Sequence, residues 1–167
     1  MDNHIIAVAA WIHLVAIVTW LGLIINSALV FLPVVGKLDI AAKRVLLPSF
    51  HKKTGALSII AVIILAATGI ILTVTNESDA GPTHLFANPW STLIVLKHIL
   101  VGAIIVLQAW SLFILQPRLI KLIQSPSSDG AELSIKRLMR LNSLSAILSS
   151  ILGCGVLFII TVVLTFY

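Results

Sequence analysis

The sequence predicts an all-α membrane protein, a four-transmembrane-helix up-down bundle with both termini outside. Three observations predict it. Of the 167 residues, 59% are hydrophobic and only 10% are charged, against roughly 25% charged in soluble domains, and the mean hydropathy is +1.14. Four apolar runs, at about 5–35, 54–74, 90–116 and 141–167, each reach the ~20 residues that cross a bilayer. The cations gather in alternate connections, as the positive-inside bias requires of a multi-pass protein.

The first run follows Met1-Asp2-Asn3-His4, which has an acid and no Lys or Arg. It is also far longer than the apolar core of a signal peptide, about 7–15 residues, and is expected to remain as helix one. Between runs one and two lie Lys37, Lys43, Arg44, Lys52 and Lys53; between runs three and four lie Arg118, Lys121, Lys136, Arg137 and Arg140. These ten of the eleven cations place both connections, read as loops, in the cytoplasm. The 75–89 loop, with Glu77 and Asp79, then faces outward, in a plasma-membrane protein forming one domain over 1–167. The net charge of +5 is accounted for by the lipid bilayer as partner, because basic residues suit the anionic inner surface; no nucleic acid is implied. Cys154 is the only cysteine, which excludes an intrachain disulfide and a cysteine-cluster metal site.

Run three, beginning "WSTLIVLKHILVG", contains the one cation that breaks the pattern, Lys97, with His98 beside it. At 1.5 Å per residue both lie about 10–12 Å below the outer start of the helix. Lys97 can snorkel its amine to the headgroups, but His98 points about 100° away. Helix one places His13 at a similar depth, and Ala9, Ala10 and Ala16 around His13 and Gly102 after His98 leave room for a flat ligand. The same small residues also serve ordinary helix contacts in lipid. Ionisable residues inside a membrane are functional candidates, and two facing imidazoles suit the axial positions of a haem iron. The alternative is structural, each His bonding a backbone carbonyl or a threonine such as Thr68 or Thr161.

The other histidines are less informative. His4 and His84 lie at the outer surface, where they are either solvated or a metal access site above His13 and His98; His51 belongs to the opposite face. In run four, Asn142, Ala146 and Ser150 form one small-residue row and Ser145, Ser149 and Gly153 another. Such rows let helices approach closely, within the chain or in an oligomer.

"IHLVAIVTWLG" resembles the first-helix signature of the copper resistance protein D (CopD) family, a His followed seven residues later by Trp and then Gly. "LIVLKHILVGAIIVLQAWSLFILQPRL" resembles the third helix of that family, with its embedded Lys and a Pro-x-Leu at the inner end, and "KRLMRLNSLSAILSSILGCGVLFIITVVLT" resembles its last helix. The resemblance picks out His13, Trp20, Gly22, Lys97 and Pro117 and implies a compact four-helix domain linked to copper uptake or tolerance. His98 departs from the family pattern, where an apolar residue follows the Lys. A fainter resemblance is to the HemJ-type protoporphyrinogen oxidases, which also pair a first-helix His with a third-helix Lys; "LGLIINSALVFLP" replaces their segment after the Trp.

Soft sulfur ligands favoured for Cu(I) are scarce here: Met1, Met139 and Cys154 are the only ones, and none lies in the outer half of helix one or three. The expectation is therefore a b-type haem protein passing electrons, more an electron carrier than an enzyme. Haem b would sit between helices one and three with His13 and His98 as axial ligands, Lys97 on a propionate, and Trp20 and Gly102 lining the site. A redox partner or a quinone would then exchange electrons with it. The alternatives are CopD-type copper transport or binding at the same histidines, and a porphyrin-oxidising enzyme.

Overall fold

A computed structural model of the chain describes residues 3–75, 89–125 and 131–166. The expected outer loop, with Glu77, Asp79 and His84, lies outside them. The described residues form four helical spans and no strand. The first span joins α1 (Asn3–Asn26), a π-helical turn (Ser27–Phe31) and α2 (Leu32–Lys37). The second is α3 (Ile40–Thr75). The third joins α4 (Pro89–Trp110), a π-helical turn (Ser111–Leu115) and α5 (Gln116–Gln124), and the fourth is α6 (Ala131–Phe166). Each of the four is long and apolar enough to cross a membrane.

Spans one and three bend by the same device. Pro33 and Pro117 stand at the starts of α2 and α5. A proline ring clashes with the carbonyl four residues earlier and donates no hydrogen bond. In both spans the turn before it widens, so that Leu32 N–H reaches Ser27 O and Gln116 N–H reaches Ser111 O, five residues back. Such wide turns are a recognised cause of kinks and recur at functional sites. The two prolines also set a common register. His13 and Lys97 each precede their proline by twenty residues, and Trp20 and Ile104 by thirteen.

The expected connections carrying Lys43 to Lys53 and Lys136 to Arg140 are helical instead, because α3 and α6 begin at Ile40 and Ala131. A helix satisfies its own backbone hydrogen bonds in lipid and at the interface alike. It therefore runs on past the apolar stretch, and only its side chains change. Arg44 joins the start of α3 to the end of α5, donating from Nε to Ile123 O at 2.7 Å.

In the bundle α1 packs along α3 and α6, α4 along α6, and α3 meets the third span chiefly through α5. Trp20, Ile24, Ala61, Ile104 and Val156, from all four spans, form the mid-membrane core. Val35, Leu47, Leu119, Ile123 and Ile135 form a second core at the cation-rich end. Lipid tails are as apolar as these side chains, so association rests on close packing and interhelical hydrogen bonds. The small rows of α6 are spent in this way within the chain. Asn142, Ser145, Ala146, Ser149 and Gly153 are buried. Gln108 Nε2 donates to Ser149 Oγ at 2.9 Å, Ser145 Oγ to Leu107 O at 3.3 Å, and Ser111 Oγ to Asn142 Oδ1 at 2.6 Å. These faces are not left over for the oligomer contact expected of them.

Candidate functional site

The site is built around His13. The ring is half-buried and faces α3, where its Nδ1 lies 2.8 Å from Thr68 Oγ1 and its Cε1 lies beside Gly69. Thr68 Oγ1 is also 2.6 Å from Ile64 O. A carbonyl cannot donate, so the single hydroxyl proton goes to Ile64, and the hydroxyl accepts from His13 Nδ1–H. With that assignment the imidazole is the Nδ1–H tautomer, whose Nε2 carries the lone pair a neutral histidine uses toward a metal. The structural partner weighed in the sequence, Thr68, is thus present.

Lys97 joins the same layer. It is half-buried on α4 and close enough for its charge to act on the His13 imidazole. At about 100° per residue Lys97 falls within about 20° of Ile104, seven residues on, whereas His98 is turned about 120° from that direction. Ile104 is only 2% exposed and marks the inward face.

His98 is exposed, and its Nδ1 donates to Ile94 O of its own helix at 2.7 Å. His13 meets Thr68 and Gly69 of α3, whereas the hydrogen bond of His98 stays within its own helix. A bis-imidazole haem needs both rings in one slot, so this donor set does not fit the expected haem b. Depth alone pairs His98 with His13, and the rotation of α4 turns it away. Gly102, expected to line a ligand slot, is exposed, with open space where a Cβ would stand. Trp20 is buried in the core, and Gly22 is exposed beside it in the chain. His4 is exposed, and His84 lies outside the described residues, so an access site built from the pair is not defined.

His51, toward the cation-rich end, takes part in a directional polar chain that the sequence did not reveal. Its Nδ1–H donates to Gln116 Oε1 at 2.7 Å, Gln116 Nε2 donates to Ser111 Oγ at 3.3 Å, and Ser111 Oγ donates to Asn142 Oδ1. Three spans are tied together there. Among the described residues no three His, Cys, Asp or Glu side chains gather into a metal cluster. A cation at His13 would therefore meet one imidazole and, nearby, one lysine.

No curated protein and no solved structure compared with the chain matches it. The family model of copper resistance protein D, CopD, matches residues 48–164. The match begins at Pro48 in α3 and takes in Lys97, Pro117 and nearly all of α6; His13, Trp20 and Gly22 precede it. Because it covers well over half of the chain, and the chain carries four spans able to cross a membrane, the protein belongs to the copper resistance protein D family of membrane proteins.

Proposed function

We propose that this protein moves copper across the membrane, with His13 Nε2 as a transient ligand in the outer half of the bundle. The observation that carries the reading is the Thr68 hydrogen bond, which leaves Nε2 as the acceptor inside a CopD-type bundle. Imidazole suits Cu(II) and tolerates Cu(I). The sparse donor set also supports passage over storage: conduction needs binding strong enough to admit an ion and weak enough to release it. One imidazole beside a lysine meets that condition, because the lysine charge opposes a long stay by the cation. Copper is the cargo in this reading.

The experiment is copper accumulation in cells expressing the chain. His13→Ala should reduce accumulation to the level of cells lacking the protein, and His98→Ala should leave it unchanged. Accumulation undiminished in His13→Ala would overturn the proposal. So would a purified protein with a Soret band that His13→Ala or His98→Ala abolishes, which would return the electron-transfer reading.

A further inference from the structure

Below the His13 layer, a cleft of about 260 Å³ opens among α1, α3 and the third span. It lies where α3 and α4 are not packed along each other. Its rim includes Ile59, Ile63 and Phe113, all exposed on the outside of the bundle. In a bilayer these residues meet acyl chains, so the mouth opens to lipid and not to water. The wall is mixed, with Ser27, Thr54, Ser58, Gln108 and Gln116 set among apolar side chains.

Trp20 also lines this cleft, and its indole Nε1 is buried without a hydrogen-bond partner, alone in this among the described side-chain nitrogens and oxygens. An indole N–H can only donate, so what it lacks is an acceptor. Two hydroxyls of the wall and both amides already donate within the protein. Ser27 Oγ donates to Leu23 O at 2.7 Å and Thr54 Oγ1 to Phe50 O at 2.7 Å. Gln108 and Gln116 donate their amides to Ser149 and Ser111. Trp20 Nε1–H is therefore a donor available to a guest, with the Ser58 hydroxyl as its neighbour in the wall.

We propose that this cleft binds a lipid-soluble ring compound bearing a carbonyl, of the quinone class, with the ring in the cleft, its tail in the bilayer and one carbonyl accepting from Trp20 Nε1–H. The size is suitable: a cavity of about 150 Å³ holds benzene, and the additional space admits ring substituents. An acyl chain would fill the apolar part but supply no acceptor. The indole nitrogen is covered by its neighbours, so docking turns a lining side chain aside before the oxygen reaches it. The site is separate from the copper ligand and independent of it, because it uses neither His13 nor Thr68.

The test is photolabelling of the purified protein in lipid nanodiscs with an azidoquinone, read by peptide mapping. Label is expected on the stretches of α3 and the third span that line the cleft, displaced by decylubiquinone but not by decylbenzene, which has the ring and tail without the carbonyls. Trp20→Phe keeps an aromatic ring without the donor and should weaken displacement by decylubiquinone about tenfold, the scale of one lost hydrogen bond. Ile63→Trp, at a lipid-exposed position with room for the larger ring, should block labelling and remains informative if Trp20→Phe fails to fold. Equal displacement by decylbenzene, label outside the cleft, labelling unaffected by Ile63→Trp, or undiminished affinity in a folded Trp20→Phe protein would each overturn the proposal.

Discussion

The hydrogen bond between His13 Nδ1 and Thr68 Oγ1, 2.8 Å long, joins the first span to the second and decides which nitrogen of the imidazole is available. Its direction follows from the second bond of Thr68, to Ile64 O. Orienting partners of this kind alter metal affinity by about 10–100-fold. Thr68→Val has nearly the same shape and no hydroxyl, so it should weaken copper binding to the purified protein by about that range, while Thr68→Ser should restore most of it. Titration of both variants with copper checks this. Equal loss in Val and Ser would mean that the methyl group, and not the hydroxyl, matters.

Lys97 opposes a cation bound at His13, and the sign of its removal follows. Lys97→Met keeps the length of the side chain and removes the charge, so copper should bind several-fold more tightly and leave more slowly. Net transport at saturating copper should then fall, although binding improves. Lys97→Arg should resemble the native chain. A Lys97→Met protein with weaker binding would make the lysine a positioning group instead.

Much of the fold was legible in the sequence because lipid leaves few choices: long apolar runs become helices, and four of them make a bundle. The limits of α3 and α6 were not legible from hydropathy, since a helix continues through its charged end while the apolar signal stops. The site was legible in part. His13, Lys97 and Thr68 are all visible as polar residues in apolar runs, but depth alone matched His13 with His98. The register that assigns Lys97 to the inward face was present in the equal spacing from Lys97 to Pro117 and from His13 to Pro33. The chain from His51 to Asn142 had no such signal, because its members come from three spans and depend on how these are rotated.

Gly153 tests the close approach of α6 to α1. A Cβ there would overlap Leu21 Cδ1 and stand 3.5 Å from its Cγ. Leu21 is itself buried, so turning it aside disturbs its neighbours. Gly153→Ala should destabilise the bundle by about 1–3 kcal/mol, the usual cost of overpacking. Gly153→Ala with Leu21→Ala should recover part of that loss. Thermal unfolding in detergent measures both, whereas Gly22→Ala, with open space around it, should change little.

The cations make orientation in the membrane testable. Ten of eleven lie at the end of the bundle where Arg44 meets α5, and by the positive-inside bias we propose that this end is cytoplasmic. Cysteine introduced at Lys52 or Lys121, in a chain with Cys154 replaced by Ala, should react from outside the cell only with membrane-permeant reagents. Cysteine at Ser78 should react with impermeant ones. The reverse pattern would place His13 in the inner half and exclude it as the first ligand for external copper.

Asn142 ends the polar chain that begins at His51, and it is buried where Ser111 opens the π-helical turn of the third span. Asn142→Leu removes the acceptor for the Ser111 hydroxyl and leaves that group buried. The cost should be about 1–3 kcal/mol, that of an unsatisfied buried polar group. The double replacement Asn142→Leu with Ser111→Ala removes both partners, so it should cost less than Asn142→Leu alone. Gln116→Leu acts at the other end of the same chain, where the side chain is half-buried, and should cost less than Asn142→Leu. If the single and double variants unfold at the same temperature, the bond between Ser111 and Asn142 does not help hold the third span to the fourth. The kink at Ser111 would then be fixed by Pro117 alone.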